Sequence, residues 1–274
     1  MRRQLITFLA VALPVAAAAP AAAQTLAQRI AAAGADEPVH FRYESRPDVC
    51  GNGDDIMVLG QRRDGGITVL QHGRDYSFRR GRRIDRDGRL ADCQFGPVTA
   101  ELTRSGGRIT DVQLRVGGTE PRRGRDLGAV EPPEAVAYLL GDAVRHSGRH
   151  AAERLIFGAT LANAESWPQL LQLARDRTLD DAPRRSAIFW LGQAAGEKAT
   201  AGLTSVIGDD SDEMEVRKAA VFALSQIRSA ETIDALIDVA RTNREPEIRK
   251  NAIFWLAQTR DPKAVAFFEE VLRR

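Results

Sequence analysis

Cysteine is nearly absent from this chain, with only Cys50 and Cys93 among its 274 residues. Two distant thiols without a Cys-x-x-Cys or a nearby His cluster form neither a redox motif nor a zinc site. An even count in a chain expected to be exported reads instead as one structural disulfide. Closing a loop of that length stabilises by roughly 4 kcal/mol on the chain-entropy model. Histidine is as scarce, with four residues, and His40 and His72 stand alone. His146 and His150 are spaced to share a helical face near Glu153, but Gly148 between them argues for a break. No Glu follows His146 as a zinc protease requires, and the chain has no Gly-x-Ser-x-Gly elbow. These absences leave no catalytic residue, metal ligand or cofactor to assign. Long apolar runs are missing too: past the first residues nothing reaches the ~18 apolar positions of a membrane span.

The N-terminus has the layout of an export signal. Arg2 and Arg3 are followed by the apolar stretch Leu5–Val15, and Ala21-Ala22-Ala23 precedes Gln24 as a small-residue cleavage site. Residues 1–23 are therefore expected to be a Sec-type signal peptide cleaved after Ala23, giving a periplasmic or secreted protein. The whole chain has 39 basic and 37 acidic residues. Loss of Arg2 and Arg3 makes the two equal, so no net basicity remains to suggest nucleic acid. The densest charge run, Arg79-Arg80-Gly81-Arg82-Arg83 with Arg86 and Arg89, is diluted by Asp85, Asp87 and Asp92. It reads as a solvated hairpin tip, the alternative being a contact with anionic envelope polymer or lipid headgroups.

Residues 36–117 read as a small β domain. Val39–Tyr43, Ile67–Gln71 and Tyr76–Arg79 are short β-prone runs. Val98, Ala100 and Leu102, then Thr110, Val112, Leu114 and Val116, alternate on either side of Ser105-Gly106-Gly107, which predicts a hairpin over Pro97–Val116. Residues 118–133, with Gly124, Gly128 and Pro132-Pro133, lack periodicity and read as a linker. From 134 to 274 apolar residues recur at helical spacing, and Pro183, Pro246 and Pro262 mark helix starts. Asp261 is the expected N-cap of the last helix.

One string recurs in this helical part. Arg184-Arg-Ser-Ala-Ile-Phe-Trp-Leu-Gly-Gln193 returns as Arg217-Lys-Ala-Ala-Val-Phe-Ala-Leu-Ser-Gln226 and Arg249-Lys-Asn-Ala-Ile-Phe-Trp-Leu-Ala-Gln258. The spacing from Ala187 to Ala220 is 33 residues and from Ala220 to Ala252 is 32. A period in this range marks a solenoid in which each helical pair buries its apolar face by stacking on the next. About four repeats fit. Val216-Arg217-x-x-Ala220-x-x-Ala223-Leu224 and Ile248-Arg249-x-x-Ala252-x-x-Trp255-Leu256 resemble the short HEAT repeats of bacterial proteins, the type also called bilin-lyase-like. The resemblance implies an α-solenoid and, most often, a protein-binding scaffold. The chain is thus expected to be α+β, a small N-terminal β domain followed by an all-α HEAT solenoid.

Within each signature, Ala187, Ile188, Trp190 and Leu191 and their equivalents fall on one broad face and read as core. Phe189 falls on the far side, as do Phe222 and Phe254. Stacking would align the three as a ladder, either covered by other parts of the chain or open as a groove for a protein partner. Arg184, Arg217 and Arg249 repeat as well, with Asp181, Glu215 and Glu247 as expected partners, and flank the ladder as polar support. Gln193, Gln226 and Gln258 are expected to bond across repeats. Asp209–Glu215 has the acids of a calcium loop but not its central Gly or distal Glu, and it fits an inter-repeat turn. The best reading is an exported, non-catalytic protein-binding scaffold. An envelope enzyme with its site in the β domain or inter-domain cleft, and a sensor subunit of a membrane partner, are the alternatives.

Overall fold

The computed structural model describes residues 24–61, 67–71, 93–117, 123–194, 196–227 and 229–273. The expected signal segment 1–23, the Tyr76–Arg79 run, the Arg79–Arg89 cluster and His72 lie outside them. A short helix, α1 (Leu26–Ala31), leads into a β region. Its strands are β1 (Val39–Tyr43), β2 (Val49–Asn52), β3 (Asp55–Gln61), β4 (Ile67–Gln71), β5 (Val98–Ser105), β6 (Arg108–Val116) and β7 (Arg125–Ala129). They form a four-stranded sheet in the order β6-β5-β1-β7 and a three-stranded sheet in the order β2-β3-β4. Cys50 on β2 is disulfide-bonded to Cys93.

The β5–β6 hairpin forms where the alternation places it, with one difference in phase. Val98, Ala100 and Leu102 on β5, and Val112, Leu114 and Val116 on β6, face the core. A bulge at Thr103/Arg104 shifts the register, so that Ile109 rather than Thr110 turns inward. The stretch expected as a linker is not wholly one. Arg125–Ala129 adds to the sheet beside β1 as its parallel edge. Gly124 permits this at φ +96°, where a Cβ would stand 2.5 Å from the Pro38 carbonyl oxygen.

Helices follow without a break in the packing: α2 (Pro132–Leu140), α3 (Asp142–Arg145), α4 (Arg149–Leu161), α5 (Trp167–Arg175), α6 (Asp181–Ala194), α7 (Thr200–Ile207), α8 (Met214–Gln226), α9 (Ala230–Thr242), α10 (Pro246–Thr259) and α11 (Pro262–Leu272). Asp261 caps α11 by accepting from the Lys263 backbone N–H at 2.9 Å. The even-numbered helices α4, α6, α8 and α10 pack side by side as one layer, and α5, α7, α9 and α11 cover them as a second. Ala187, Leu191, Ala220, Leu224, Ala252 and Leu256 are all fully buried between the layers.

The sheet and the helices share one hydrophobic core, joined through α4. Leu155, Ile156, Ala159 and Leu161 leave little of this helix for solvent. Gly158 sits where helix and sheet come closest; a Cβ there would meet Leu114 at 3.0 Å. The buried Tyr43 on β1 donates its hydroxyl to the Gly158 carbonyl at 2.8 Å. Arg154 donates to the Val112 carbonyl at 2.8 Å.

Burial pushes the Tyr43 phenol far above its usual range, since the phenolate cannot be solvated there. A raised folded-state value means the contribution is complete below about pH 10, where the unfolded tyrosine titrates, and is lost as pH rises further. Tyr43→Phe, which strands the Gly158 carbonyl, is expected to cost about 1–2 kcal/mol at neutral pH by denaturant unfolding. The variant should also lose part of the wild-type decline in stability above pH 10. An unchanged alkaline profile would contradict this role.

Candidate partner-binding surface

The three signature helices α6, α8 and α10 bring their aromatic residues together, though not as a simple column of three phenylalanines. Phe189 and Phe222 stack with centroids 6.4 Å apart and planes only 10° from parallel. The next ring against Phe222 is Trp255, at 4.7 Å, not Phe254. Phe254 packs edge-on against Trp255 at 5.0 Å, repeating the Phe189–Trp190 pair at 5.0 Å. Trp190 in turn meets Phe157 of α4 at 4.9 Å. Rings therefore run Phe157, Trp190, Phe189, Phe222, Trp255, Phe254, every contact lying in the range where aromatic pairs attract.

Exposure increases along this row. Phe157 is 5% exposed, Phe189 and Phe222 are half-buried, and Phe254 is 55% exposed with Ile253 beside it at 39%. Trp190 and Trp255, read from the sequence as core-facing, are half-buried and belong to the row. The helical wheel missed this because a tryptophan at the edge of the core face is long enough to reach around the helix. The row is thus part core, part surface, and opens toward α10.

Arg184 and Arg217 do not flank this surface. Arg184 and its partner Asp212 have side chains only 3% and 5% exposed. Arg184 Nε also donates to the Ala174 carbonyl at the end of α5, at 3.0 Å. Arg217 repeats the arrangement: its Nε donates to the Ile207 carbonyl at 2.9 Å. Its Nη2 reaches Asp210 at 2.9 Å and the Asn243 side chain at 3.3 Å. Each arginine thus ties a helix C-terminus to an inter-repeat loop, satisfying carbonyls that the helix end leaves open. Arg249 is half-exposed and donates to the Asn243 and Arg244 carbonyls at 2.8 and 3.0 Å.

The acids expected to pair with these arginines instead pair with cations on the outer face. Asp181 meets Arg185 at 3.2 Å, Glu215 meets Lys218 at 3.4 Å, and Glu247 meets Lys250 at 3.7 Å. The cations lie four residues before Phe189, Phe222 and Phe254, one helical turn away on the same side. Each repeat therefore presents acid, base and ring in order along its outer helix. Gln193, Gln226 and Gln258 are exposed beyond the rings, and Gln226 donates to its neighbour Ser225 rather than to another repeat.

The acidic run at Asp209–Glu215 forms the loop before α8. Asp209 accepts from the backbone and hydroxyl of Ser211 and pairs with Arg177. The Ser211 hydroxyl, and then Arg177, push its carboxyl down to about 2. With Asp210 and Asp212 held by Arg217 and Arg184, these carboxylates serve the repeat contacts. His146 and His150 lie on either side of Gly148, the N-cap of α4, and so do not share a helix. Among the described residues, no three His, Cys, Asp or Glu side chains converge as metal ligands, and no helix is long and apolar enough to cross a membrane.

Residues 167–246 match the family model of HEAT repeats. The match runs from the start of α5 to the start of α10, and so covers the Arg184 and Arg217 contacts and the Phe189–Phe222 stack. This segment carries HEAT repeats, within a fold made of a small β region followed by a HEAT-like run of helices. No curated protein matches the chain.

The two arginine environments differ enough to be separated by mutation. Arg184→Ala leaves the Asp212 carboxylate buried and unpaired and is expected to cost about 3–5 kcal/mol. Arg249→Ala, which exposes only solvent-reachable carbonyls, should cost about 1 kcal/mol. Thermal unfolding followed by circular dichroism should rank Arg184→Ala well below Arg249→Ala. Equal losses would contradict the buried-pair account.

Proposed function

We propose that the protein is an exported, non-catalytic scaffold of the bacterial envelope that binds a protein partner through the outer aromatic row of its HEAT repeats. The repeats are of the short bacterial type, and the protein acts after removal of residues 1–23. HEAT repeats commonly serve as protein-interaction scaffolds, and the row from Phe189 to Phe254 supports this role here. The observation that carries it is Phe254, whose ring is more than half exposed on a regular helix beside Ile253. Exposed aromatic and aliphatic side chains on a rigid element are the usual anchors of an interface. The flanking Arg185–Asp181, Lys218–Glu215 and Lys250–Glu247 pairs form a polar rim. Arg184 and Arg217 act indirectly, by fixing the spacing of the helices that carry the rings.

At a cleft between the β region and the helices, the Lys198 hydrogen bond and charge hold the Glu165 carboxyl below the usual range, which suits it poorly as a general acid.

Phe254→Ser and Ile253→Ser, singly and together, should change stability by no more than about 0.5 kcal/mol each, as surface substitutions do. Affinity capture from the native envelope, read by mass spectrometry, should recover a partner with the wild type and lose it with the double variant. Recovery of the same proteins by both would contradict the proposal. So would a fall in stability like that of a core deletion, which would place these residues in the interior.

A further inference from the structure

A second surface lies away from the aromatic row, where the β1–β2 connection meets the loop between α4 and α5. It is a cleft of about 570 Å³ lined by Arg46, Asp48, Asn163, Glu165, Trp167 and Lys198 among others, a volume within the range of about 300–1,000 Å³ typical of small-molecule sites. Its walls are braced by backbone hydrogen bonds across the junction. Arg46 N–H donates to the Leu161 carbonyl at 2.8 Å, and Asn163 N–H to the Glu44 carbonyl at 2.9 Å.

The charges in the cleft are matched one to one. Arg46 grips Asp48 in a bidentate pair, with both contacts at 3.0 Å. Lys198 Nζ donates to Glu165 at 2.7 Å. An ionic ligand would have to break one of these pairs. A neutral ligand rich in hydroxyls would not, because a hydroxyl both donates and accepts. It can accept from the remaining guanidinium and ammonium hydrogens and donate to the carboxylate lone pairs that the ion pairs leave open. Asn163 adds an amide with both capacities.

Trp167 supplies an apolar, half-buried aromatic wall. Its indole N–H is buried beside the Glu165 carboxylate. From the flat aromatic wall, the matched charges and the rigid backbone frame, we infer that the cleft binds a neutral saccharide. Its C–H face would lie on Trp167 and its hydroxyls would bridge Arg46–Asp48 and Lys198–Glu165. The site is independent of the partner surface on α6, α8 and α10.

Isothermal titration of the purified chain with cellotriose, maltotriose and the trimer of β-1,4-linked N-acetylglucosamine tests this directly. At least one trimer should bind saturably. Trp167→Ala should weaken it by about tenfold or more, as loss of a stacked aromatic does. Glu165→Gln, at an exposed side chain, tests the polar half of the site if Trp167→Ala fails to fold, and should also weaken binding. Phe254→Ser should leave it unchanged, which separates this site from the partner surface. Glucose binding as tightly as the trimers would keep the ligand class and identify free sugar as its source. Three results would overturn the inference: no trimer binding up to about 10 mM, well past the millimolar range of weak sites; trimer binding that Glu165→Gln and every folded Trp167 variant leave unaltered; or saturable inorganic phosphate binding without any saccharide binding.

Discussion

The structure depends on the seating of α4 against the sheet. A helical pair in a stacked repeat has apolar surface on two sides, and the first pair of a stack has no earlier repeat to cover it. Here β5 and β6 take that place. Gly158 lets the helix approach Leu114, and the Tyr43 hydroxyl closes the α4 carbonyl that faces it. With α4 fixed, α6, α8 and α10 follow at regular intervals, and Phe157 on α4 becomes the inner end of the aromatic row. The β region is in this sense the N-terminal cap of the solenoid. The disulfide and the edge strand β7 secure the cap itself.

A second constraint holds each repeat to the next. Arg184 and Arg217 each run from the end of the preceding helix to the loop leading into the next pair, where they reach Asp212 and Asn243. Burial makes this contact specific as well as stabilising, since a slipped register would leave a guanidinium without its carbonyl and carboxylate. The neighbouring residue in the motif, Arg185 or Lys218, faces outward to an acid one turn earlier. Two adjacent basic residues thus do different work, one joining repeats and the other bordering the aromatic surface.

Much of the helical part was legible in the sequence, because period, proline and N-cap positions all act locally. α10 and α11 start at Pro246 and Pro262, and α6 starts two residues before Pro183. The inward arginines were visible as a repeat, but their partners were not. Asp181, Glu215 and Glu247 are nearer in sequence, whereas Asp212 and Asn243 come close only once the loops fold across the helix ends. The row of rings was half legible: Phe189, Phe222 and Phe254 stood out by their helical angle, while the contributions of Trp190 and Trp255 depend on side-chain reach. In the β region, β2 and β7 carry glycine and little alternation. Arg125–Ala129 becomes a strand because β1 offers an edge and Gly124 fits under Pro38, neither of which a local pattern records. The cleft at Trp167 joins residues from three separate segments and had no sequence signal.

The central claim is that the outer end of the aromatic row is a working surface rather than misplaced core. Hydroxyl-radical footprinting of the protein, alone and with its captured partner, tests this most directly. The account predicts that Phe254 is readily oxidised in the free protein, Phe222 less so and Phe157 hardly at all, and that the partner protects Phe254, Trp255 and Phe222 together. Protection confined to other surfaces, or a Phe254 ring already shielded in the free protein, would contradict it.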